Sequence, residues 1–355
     1  MEINNVADYI NTVSQIISNQ DKDITIVYRG ESRIFDTPCQ PNIFRKSLLK
    51  NNKFFEKNLF DEMTSNKITS GTTYLEKAID AQHGGFPSRL LDVTYNSLVA
   101  LYFATTPYFH YPENSEDDHD GIVYIYFFNK LFCPSGKNIT DNYKAIIDRD
   151  HVWLSSESIF QKNHKLIDHI KLNKRIVAQQ GALILFQGDE VCPISNAKYT
   201  KIRIPSKSKS AIRTQLKTLF GIHTGFIYPE PSNLVTEISD KSNKIANTIF
   251  DLDTELNLLE YNLQLDLTHQ ETLVIQKAND SSVSNKDLIV HLKDVEELIF
   301  SYKLGIEELC THNTISTTHK LITNYNKLVH SFITSITFFL NQRNIDICEK
   351  ELCIS

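Results

Sequence analysis

The sequence lacks the features that mark secreted, metal-binding and membrane proteins. Its six cysteines form neither a CxxC pair nor a Cys/His metal spacing, and 355 residues can bury a core without disulfide bonds. No apolar run approaches the length of a membrane span, and the first residues, MEINNVADYINTV, lack the basic and apolar segments of a signal peptide. These absences predict a cytoplasmic protein with reduced thiols, which needs no metal and contacts no membrane.

Positive charge is also in short supply. The chain has 37 Lys and Arg against 43 Asp and Glu, a net charge of −6, which disfavours general nucleic-acid binding through overall charge. One stretch departs from this balance, because no acidic residue lies between Val191 and Pro229. Its basic residues are Lys198, Lys201, Arg203, Lys207, Lys209, Arg213 and Lys217. We interpret them as a solvated face, with an anion or phosphate contact as the alternative.

Glycine becomes scarce after Pro229, and the apolar residues there recur on alternating steps of four and three. This spacing keeps one apolar seam facing a neighbouring helix, as in coiled coils and antiparallel bundles, and it predicts three long helices. The predicted seams are 245–263, 288–309 and 321–339, separated by a linker at 278–286 and a polar stretch at 311–319. The seams contain little besides core residues, which favours a structural role over a binding site, and we expect the helices to serve homo-oligomerisation or the sensing of a partner.

The first part of the chain mixes strand and helix patterns, which predicts an α+β fold. The predicted strands are 24–28, 121–128, 182–186 and an edge strand at 201–204. The predicted helices are 4–18, 41–65 and 73–82, whereas 98–104 is either helix or strand. We predict an α+β domain at 1–238, with its motif region at 24–229, followed by an all-α, coiled-coil-like helical bundle at 239–355.

Two short polar segments are the candidates for chemistry. The stretch 82–94 contains His83, two glycines, Arg89 and Asp92 within a few residues, and Arg29 and Glu31 end an apolar run. Such a cluster is expected where the backbone bends and polar groups converge. We therefore expect Arg29, His83 and Asp92 to line a single open cleft.

These segments resemble motifs of the FRG domain, a family named for an aromatic-Arg-Gly tripeptide. The matching motifs are Tyr28-Arg29-Gly30, Gln82-His83-Gly84, Ser88 to Thr94, Ala100 to Ala104, Gly121 to Tyr124, Arg175 to Ala182 and Leu216 to Pro229. The resemblance runs from about residue 23 to residue 238. Tyr28 replaces the Phe that gives the family its name, and Ser88 stands where Thr is frequent.

The resemblance implies a fold and a setting. FRG proteins are often associated with bacterial mobile elements and with defence against phage, and the motif order is similar to that of an ADP-ribosyltransferase core. Such a core has a mixed or antiparallel split sheet. Arg29 would come from its first strand and the segment 88–94 from its second, while Gln180 would open its third.

A core of this kind is an ADP-ribosyltransferase or a NAD glycohydrolase: it uses NAD and stabilises an oxocarbenium-like ribose, much as glycosidases do. Arg29 would hold a phosphate or ribose, His83 would contact the nucleotide, and Asp92 or Glu31 would stabilise positive charge. Gln180 stands in place of the usual catalytic Glu and supplies no negative charge. The other candidate nucleotide-binding residues are Tyr28, Gly30, Ser88, Arg89 and Thr94.

Three other interpretations remain open. The chain could be a non-catalytic module of a defence system that binds a nucleotide, a nucleic acid or a protein, or a metal-dependent nuclease that uses His83 and Asp92. The candidate residues could also be structural: Arg29 and Asp92 as a buried ion pair, His83 as a turn residue, and Thr94 as a helix N-cap.

Overall fold

The structure is a computed structural model that describes residues 3–45, 48–107, 114–169, 174–245, 251–312 and 315–354. The chain divides into two compact units, Met1–Lys244 and Ile245–Ser355. Among the described residues, no helix has both the length and the apolar character that crossing a bilayer requires.

A seven-stranded sheet forms the centre of the first unit. Its strands are β1 (Thr25–Glu31), β2 (Leu90–Thr94), β3 (Gly121–Phe128), β4 (Leu131–Phe132), β5 (Lys165–Asp168), β6 (Gly181–Leu185) and β7 (Tyr199–Ile204). They lie in the order β4-β5-β6-β2-β1-β3-β7, and β4 with β5 is the parallel pair among otherwise antiparallel neighbours. The predicted α+β class with a mixed sheet is confirmed, as is the edge position of the strand at 201–204.

Helices cover both faces of this sheet. They are α1 (Val6–Ser18), α2 (Asn42–Arg45), α3 (Leu48–Asn51), α4 (Phe55–Ser65), α5 (Tyr74–His83), α6 (Ser97–Thr105), α7 (Lys137–Asp148), α8 (Trp153–Ser156), α9 (Ser158–Gln161), α10 (Lys174–Gln179), α11 (Lys209–Phe220), α12 (Thr224–Ile227) and α13 (Pro231–Ser242). The cap of α5 is a capping box, in which Thr73 and Glu76 each bond the other's backbone N–H. The predicted helical region 41–65 contains three separate helices, α2, α3 and α4.

Helix α6 lies directly against the end of β1. A Cβ at Gly30 would stand 1.8 Å from the Ala100 carbonyl oxygen, so a glycine is needed for this close approach. Asn96 caps α6, because its side chain accepts from the N–H groups of Leu98 and Val99. The predicted cap at Thr94 is wrong: Thr94 belongs to β2 and its hydroxyl donates to the Gln179 carbonyl oxygen.

The second unit is built from three long helices, α14 (Leu252–Asn279), α15 (Asn285–His312) and α16 (Ile315–Asn341), and a short α17 (Glu349–Leu352). Their buried seam residues form one apolar core. The break between α14 and α15 lies within the predicted linker. Of the first predicted seam, Ile245 precedes α14, and Ile249 lies outside the described residues.

The predicted separator at 311–319 is mostly wrong. α15 continues to His312 and α16 begins at Ile315, while residues 313 and 314 lie outside the described part of the chain. The stretch is polar but contains neither glycine nor proline. Polarity alone costs a helix only a few tenths of a kcal/mol per residue, about a tenth of the cost of a proline.

Candidate functional site

The sheet splits open between its two motif strands. β1 pairs with β3 along its whole length and β2 pairs likewise with β6, but β1 and β2 pair only at Tyr28 and Thr94. Beyond this pair, where antiparallel partners would continue, the strands diverge. A cavity of about 350 Å³ opens between them.

The cavity wall combines cationic, acidic and aromatic side chains. It is lined by Tyr28, Arg29, Gly30, Glu31, Ser32, Phe35, Arg45, Asp92, Val93, Thr94, Phe103, Thr106, Arg175, Gln179 and Tyr228. Three guanidinium groups favour an anionic ligand, and the four aromatic rings offer flat apolar surface. The two carboxylates place negative charge in the same space.

Arg29 ties the two strands together across the split. Its Nε donates to Glu31 Oε1 at 3.0 Å, and its Nη1 donates to the Asp92 carbonyl oxygen at 2.8 Å. Residues two apart on a strand share a face, which explains the ion pair within β1. The predicted ion pair with the Asp92 side chain is wrong, because Arg29 bonds the backbone of Asp92. Burial is the largest single influence and opposes the charge on Arg29, but Glu31, Cys39, Asp92 and Tyr126 together outweigh it, so the pKa of Arg29 is raised.

Glu31 presents one satisfied and one unsatisfied carboxylate oxygen. The residue is only 3% exposed, and Oε1 accepts from Arg29 and from the Cys39 N–H at 3.1 Å. Among the described residues, Oε2 has no hydrogen-bond partner. A buried acceptor without a partner is costly, so a ligand hydroxyl that reached it would gain a charge-assisted hydrogen bond.

Two further arginines approach the cavity from helices. The Arg175 guanidinium on α10 lies over the Tyr228 ring, 4.7 Å from its centroid. Arg45 on α2 is exposed and donates to the Gln40 carbonyl oxygen through Nε and Nη2, each at 3.3 Å. Burial and then the like charge of Arg29 lower the pKa of Arg45. The positive charges of Arg29 and Arg45 repel each other, and an anion bound in the cavity would offset this repulsion.

Asp92 lines the cavity, but His83 does not. The exposed Asp92 accepts from Gln82 Nε2 at 2.6 Å through Oδ2. His83 instead stacks on His169, with Nε2 atoms 3.1 Å apart and ring centroids 4.8 Å apart. Burial lowers the pKa of His83 although Asp92 opposes the shift. The expected cleft therefore brings Arg29 and Asp92 together and leaves His83 outside its lining.

Ser88 and Arg89 lie in the interior, away from the cavity. Arg89 Nε donates to Glu56 Oε2 at 2.6 Å, and its Nη1 reaches the carbonyl oxygens of residues 186, 187 and 188. Tyr143 donates to the other Glu56 oxygen at 2.6 Å. Ser88 Oγ accepts from the Leu90 N–H. The network satisfies its buried charges internally, as such charges require.

Gln179, rather than Gln180, contributes to the cavity. Gln180 is exposed with φ of 46°, and its backbone bonds Val177 and Tyr95. Gln179 lines the cavity and donates to the Ile227 carbonyl oxygen at 3.2 Å.

Several lining residues were not among the predicted site residues, namely Ser32, Phe35, Arg45, Phe103, Thr106, Arg175, Gln179 and Tyr228. For two of them a signal was available. Arg175 and Gln179 are four residues apart, which places both side chains on one face of α10. Among the described residues, no three His, Cys, Asp or Glu side chains gather as metal ligands.

Comparison with known proteins identifies the segment that carries the first half of the site. Residues 25–112 match the FRG domain. No curated protein and no solved structure matches the chain. The matched segment contains β1, β2 and α6, and with them Arg29, Glu31 and Asp92, whereas Arg175 and Gln179 lie beyond it. The chain therefore contains an FRG domain, and the tripeptide Tyr28-Arg29-Gly30 that is typical of it lies at the split of the sheet.

Proposed function

We propose that the cavity between β1 and β2 binds NAD and that the chain is an ADP-ribosyltransferase-like effector. The observation that carries the proposal is the divergence of β1 from β2, which places Arg29, Glu31 and Asp92 around one cavity. The setting that we propose is a toxin-like arm of bacterial defence against phage, since the FRG resemblance implies that association.

The three guanidinium groups provide the anion-binding half of the proposal. Arg29 is held by Glu31 and by the Asp92 backbone, so its position is fixed before a ligand arrives. Arg175, over Tyr228, and the exposed Arg45 add positive charge to the same cavity. A pyrophosphate carries the charge and the oxygen acceptors that guanidinium groups bind best. The aromatic walls would then contact the rings that flank it.

The two carboxylates provide the reactive half. In the proposed reaction the bond between ribose C1′ and the nicotinamide nitrogen breaks, and nicotinamide leaves with the bonding electron pair. Glu31 and Asp92 would stabilise the positive charge left on the ribose. An acceptor nucleophile, or water, then bonds to C1′ and gives up its proton to a carboxylate. Gln179 would bind a ribose hydroxyl, which needs no charge.

Release of nicotinamide from labelled NAD tests this proposal. Wild-type protein, with and without phage lysate, is compared with Arg29→Ala and with Arg203→Ala. Arg203 is a matched control because it is an exposed arginine on edge strand β7, paired with Asp120, outside the cavity. We expect release by the wild type and the control and loss in Arg29→Ala. Equal release by both variants would refute the proposed site.

A second candidate is nucleotide binding without turnover. Two observations support it. The neutral Gln179, at the end of α10, lines the cavity, and Glu31 already accepts hydrogen bonds from Arg29 and Cys39. This candidate gives saturable binding of NAD in calorimetry, and no nicotinamide release under any condition. We also propose a nucleic acid or a protein as the target of such a module or of a transferase.

We propose homo-oligomerisation for the second unit. Leu258, Tyr261 and Leu265 on α14 are each about half exposed at 48%, 57% and 50%, and their spacing places them on one face of the helix. Such an exposed seam suits pairing with the same seam of a second copy. Replacing Leu258 and Leu265 by Glu in the full chain should shift its mass in light scattering to that of a monomer. An unchanged mass would refute this role.

A further inference from the structure

A second cavity lies on the same unit, and the proposed reaction makes no use of it. Its volume is about 230 Å³, less than the roughly 300–1,000 Å³ of a drug-sized site and suited to one ring system. It is lined by Asp36, Thr37, Pro38, Cys39, Gln40, Tyr124, Tyr126, Phe186, Val191, Pro193, Ile194 and Tyr199. The lining contains no Lys or Arg, in contrast to the cavity at the split.

Three tyrosines and Phe186 form the aromatic part of its wall. Tyr124 and Tyr126 lie nearly parallel, at 17°, with centroids 6.2 Å apart. Tyr199 is inclined to both, with centroid distances of 5.7 Å to Tyr124 and 5.6 Å to Tyr126. Flat rings at different angles around one small space suit a planar aromatic ligand, which gains stacking and edge contacts together.

Polar groups also reach this cavity. Burial raises the pKa of Tyr124 and of Tyr126, and the Tyr126 side chain also hydrogen-bonds the Cys39 side chain. Asp36 and Gln40 add a carboxylate and an amide to the lining. A purine or pyrimidine edge carries both donors and acceptors that could bond the Asp36 carboxylate and the Gln40 amide, whereas a purely apolar ring carries neither.

The sheet places the two cavities side by side. Arg29 on β1 is directly opposite Tyr124 on β3, which is opposite Lys201 on β7. Cross-strand partners project from the same face of a sheet, so this row runs from the split to the exposed edge strand. The Cys39 N–H, in the wall of the second cavity, bonds Glu31 in the wall of the first.

We propose that the second cavity binds a nucleobase, beside a first cavity that holds phosphate. The inference rests on the proposed function for this ligand class. A nucleobase could come from two sources: the ring of a dinucleotide whose phosphates lie against Arg29, or a base of a nucleic-acid acceptor. The tyrosine walls are the same for either source, and Lys201 at the open edge suits an acceptor strand.

The experiment uses the full chain and two probes, NAD and a single-stranded DNA oligonucleotide. Tyr199→Leu removes one wall, and Tyr199→Phe retains the ring. Tyr199 is half-buried on an edge strand and its hydroxyl bonds only Asn196 among the described residues, so both variants should fold. Phe54→Leu is the control for loss of an aromatic ring elsewhere, because Phe54 is 49% exposed and lines neither cavity.

We expect Tyr199→Leu to weaken binding of at least one probe by on the order of tenfold, with Tyr199→Phe and Phe54→Leu near wild type. Weakened NAD binding assigns the ring to the dinucleotide, and weakened DNA binding assigns it to the acceptor. Unchanged affinity for both probes in Tyr199→Leu overturns the inference.

The nucleobase site and the proposed transferase activity can be refuted independently of each other. If Arg29→Ala abolishes nicotinamide release while Tyr199→Leu binds both probes normally, the first cavity stands and the second is refuted. If no nicotinamide is ever released but oligonucleotide binding depends on Tyr199, the nucleobase site stands and the transferase is refuted.

Discussion

Two regions of the first unit each place an arginine against a glutamate, and they differ in what remains available to a ligand. Arg89 and Glu56 have side chains 3% and 2% exposed, and the network around them is closed by Tyr143 and three carbonyl groups. Arg29 has a side chain 20% exposed, and its partner Glu31 retains an oxygen with no partner among the described residues. The closed pair suits a scaffold, and the incomplete pair suits a site.

The closed pair should show the largest effect on stability. Arg89→Met leaves the buried Glu56 carboxylate uncompensated, which should cost about 3–5 kcal/mol in the free energy of unfolding. Urea denaturation of the first unit measures this loss. Arg29→Met should cost less, about 1–3 kcal/mol, because Arg29 is 20% exposed, so water can enter beside Glu31, and the Glu31 carboxylate keeps its hydrogen bond from the Cys39 N–H. Equal losses at the two positions would remove the distinction between them.

The incomplete pair should show its largest effect on turnover. Glu31→Gln keeps the size of the side chain but removes its charge, so nicotinamide release should fall on the order of 100-fold while KM changes little. Steady-state kinetics with NAD measure both quantities, and Asp92→Asn serves as the parallel variant. A Glu31→Gln enzyme with normal turnover would assign the reactive charge to Asp92 or to neither.

Arg175 should affect affinity more than turnover. Its guanidinium lies over Tyr228 at the cavity wall, so Arg175→Ala should raise KM on the order of tenfold and leave kcat nearly unchanged. Lys174→Ala, an exposed neighbour on the same helix that does not line the cavity, is the control. Identical kinetics in the two variants would place Arg175 outside the ligand site.

The smallest effect should come from the paired histidines beside the site. Because burial lowers the pKa of His83, against the opposing effect of Asp92, the unfolded chain binds that proton more readily than the folded chain. The contribution to stability is therefore present above the unfolded pKa of about 6.5 and is lost as pH falls towards the lower folded value. Thermal unfolding of His83→Phe should depend less on pH in this window than that of wild type. Parallel pH profiles would contradict this expectation.

Part of the site could be predicted from local sequence patterns. The tripeptide at Tyr28 and the acidic residue two positions after Arg29 predict a polar strand end, and Asp92 follows from its motif. Position 30 is a glycine because α6 approaches β1 too closely for a side chain there. The three long helices follow from their apolar spacing, because a seam is a property of the local sequence.

Other features depend on contacts between distant segments. His83 pairs with His169, 86 residues away, and no local pattern connects them. Gln180 adopts a left-handed backbone conformation, which turns its side chain out and leaves Gln179 at the cavity. The interior position of Arg89, just before β2, requires Glu56 on α4, so its motif alone could not separate it from a ligand-binding arginine.

A crystal structure of the chain with NAD tests the central claim most directly. We expect the pyrophosphate oxygens within hydrogen-bonding distance of the Arg29 and Arg175 guanidinium groups, with the nicotinamide ribose beside Glu31 or Asp92. NAD bound elsewhere with the split between β1 and β2 empty, or no NAD bound at saturating concentration, would contradict the account.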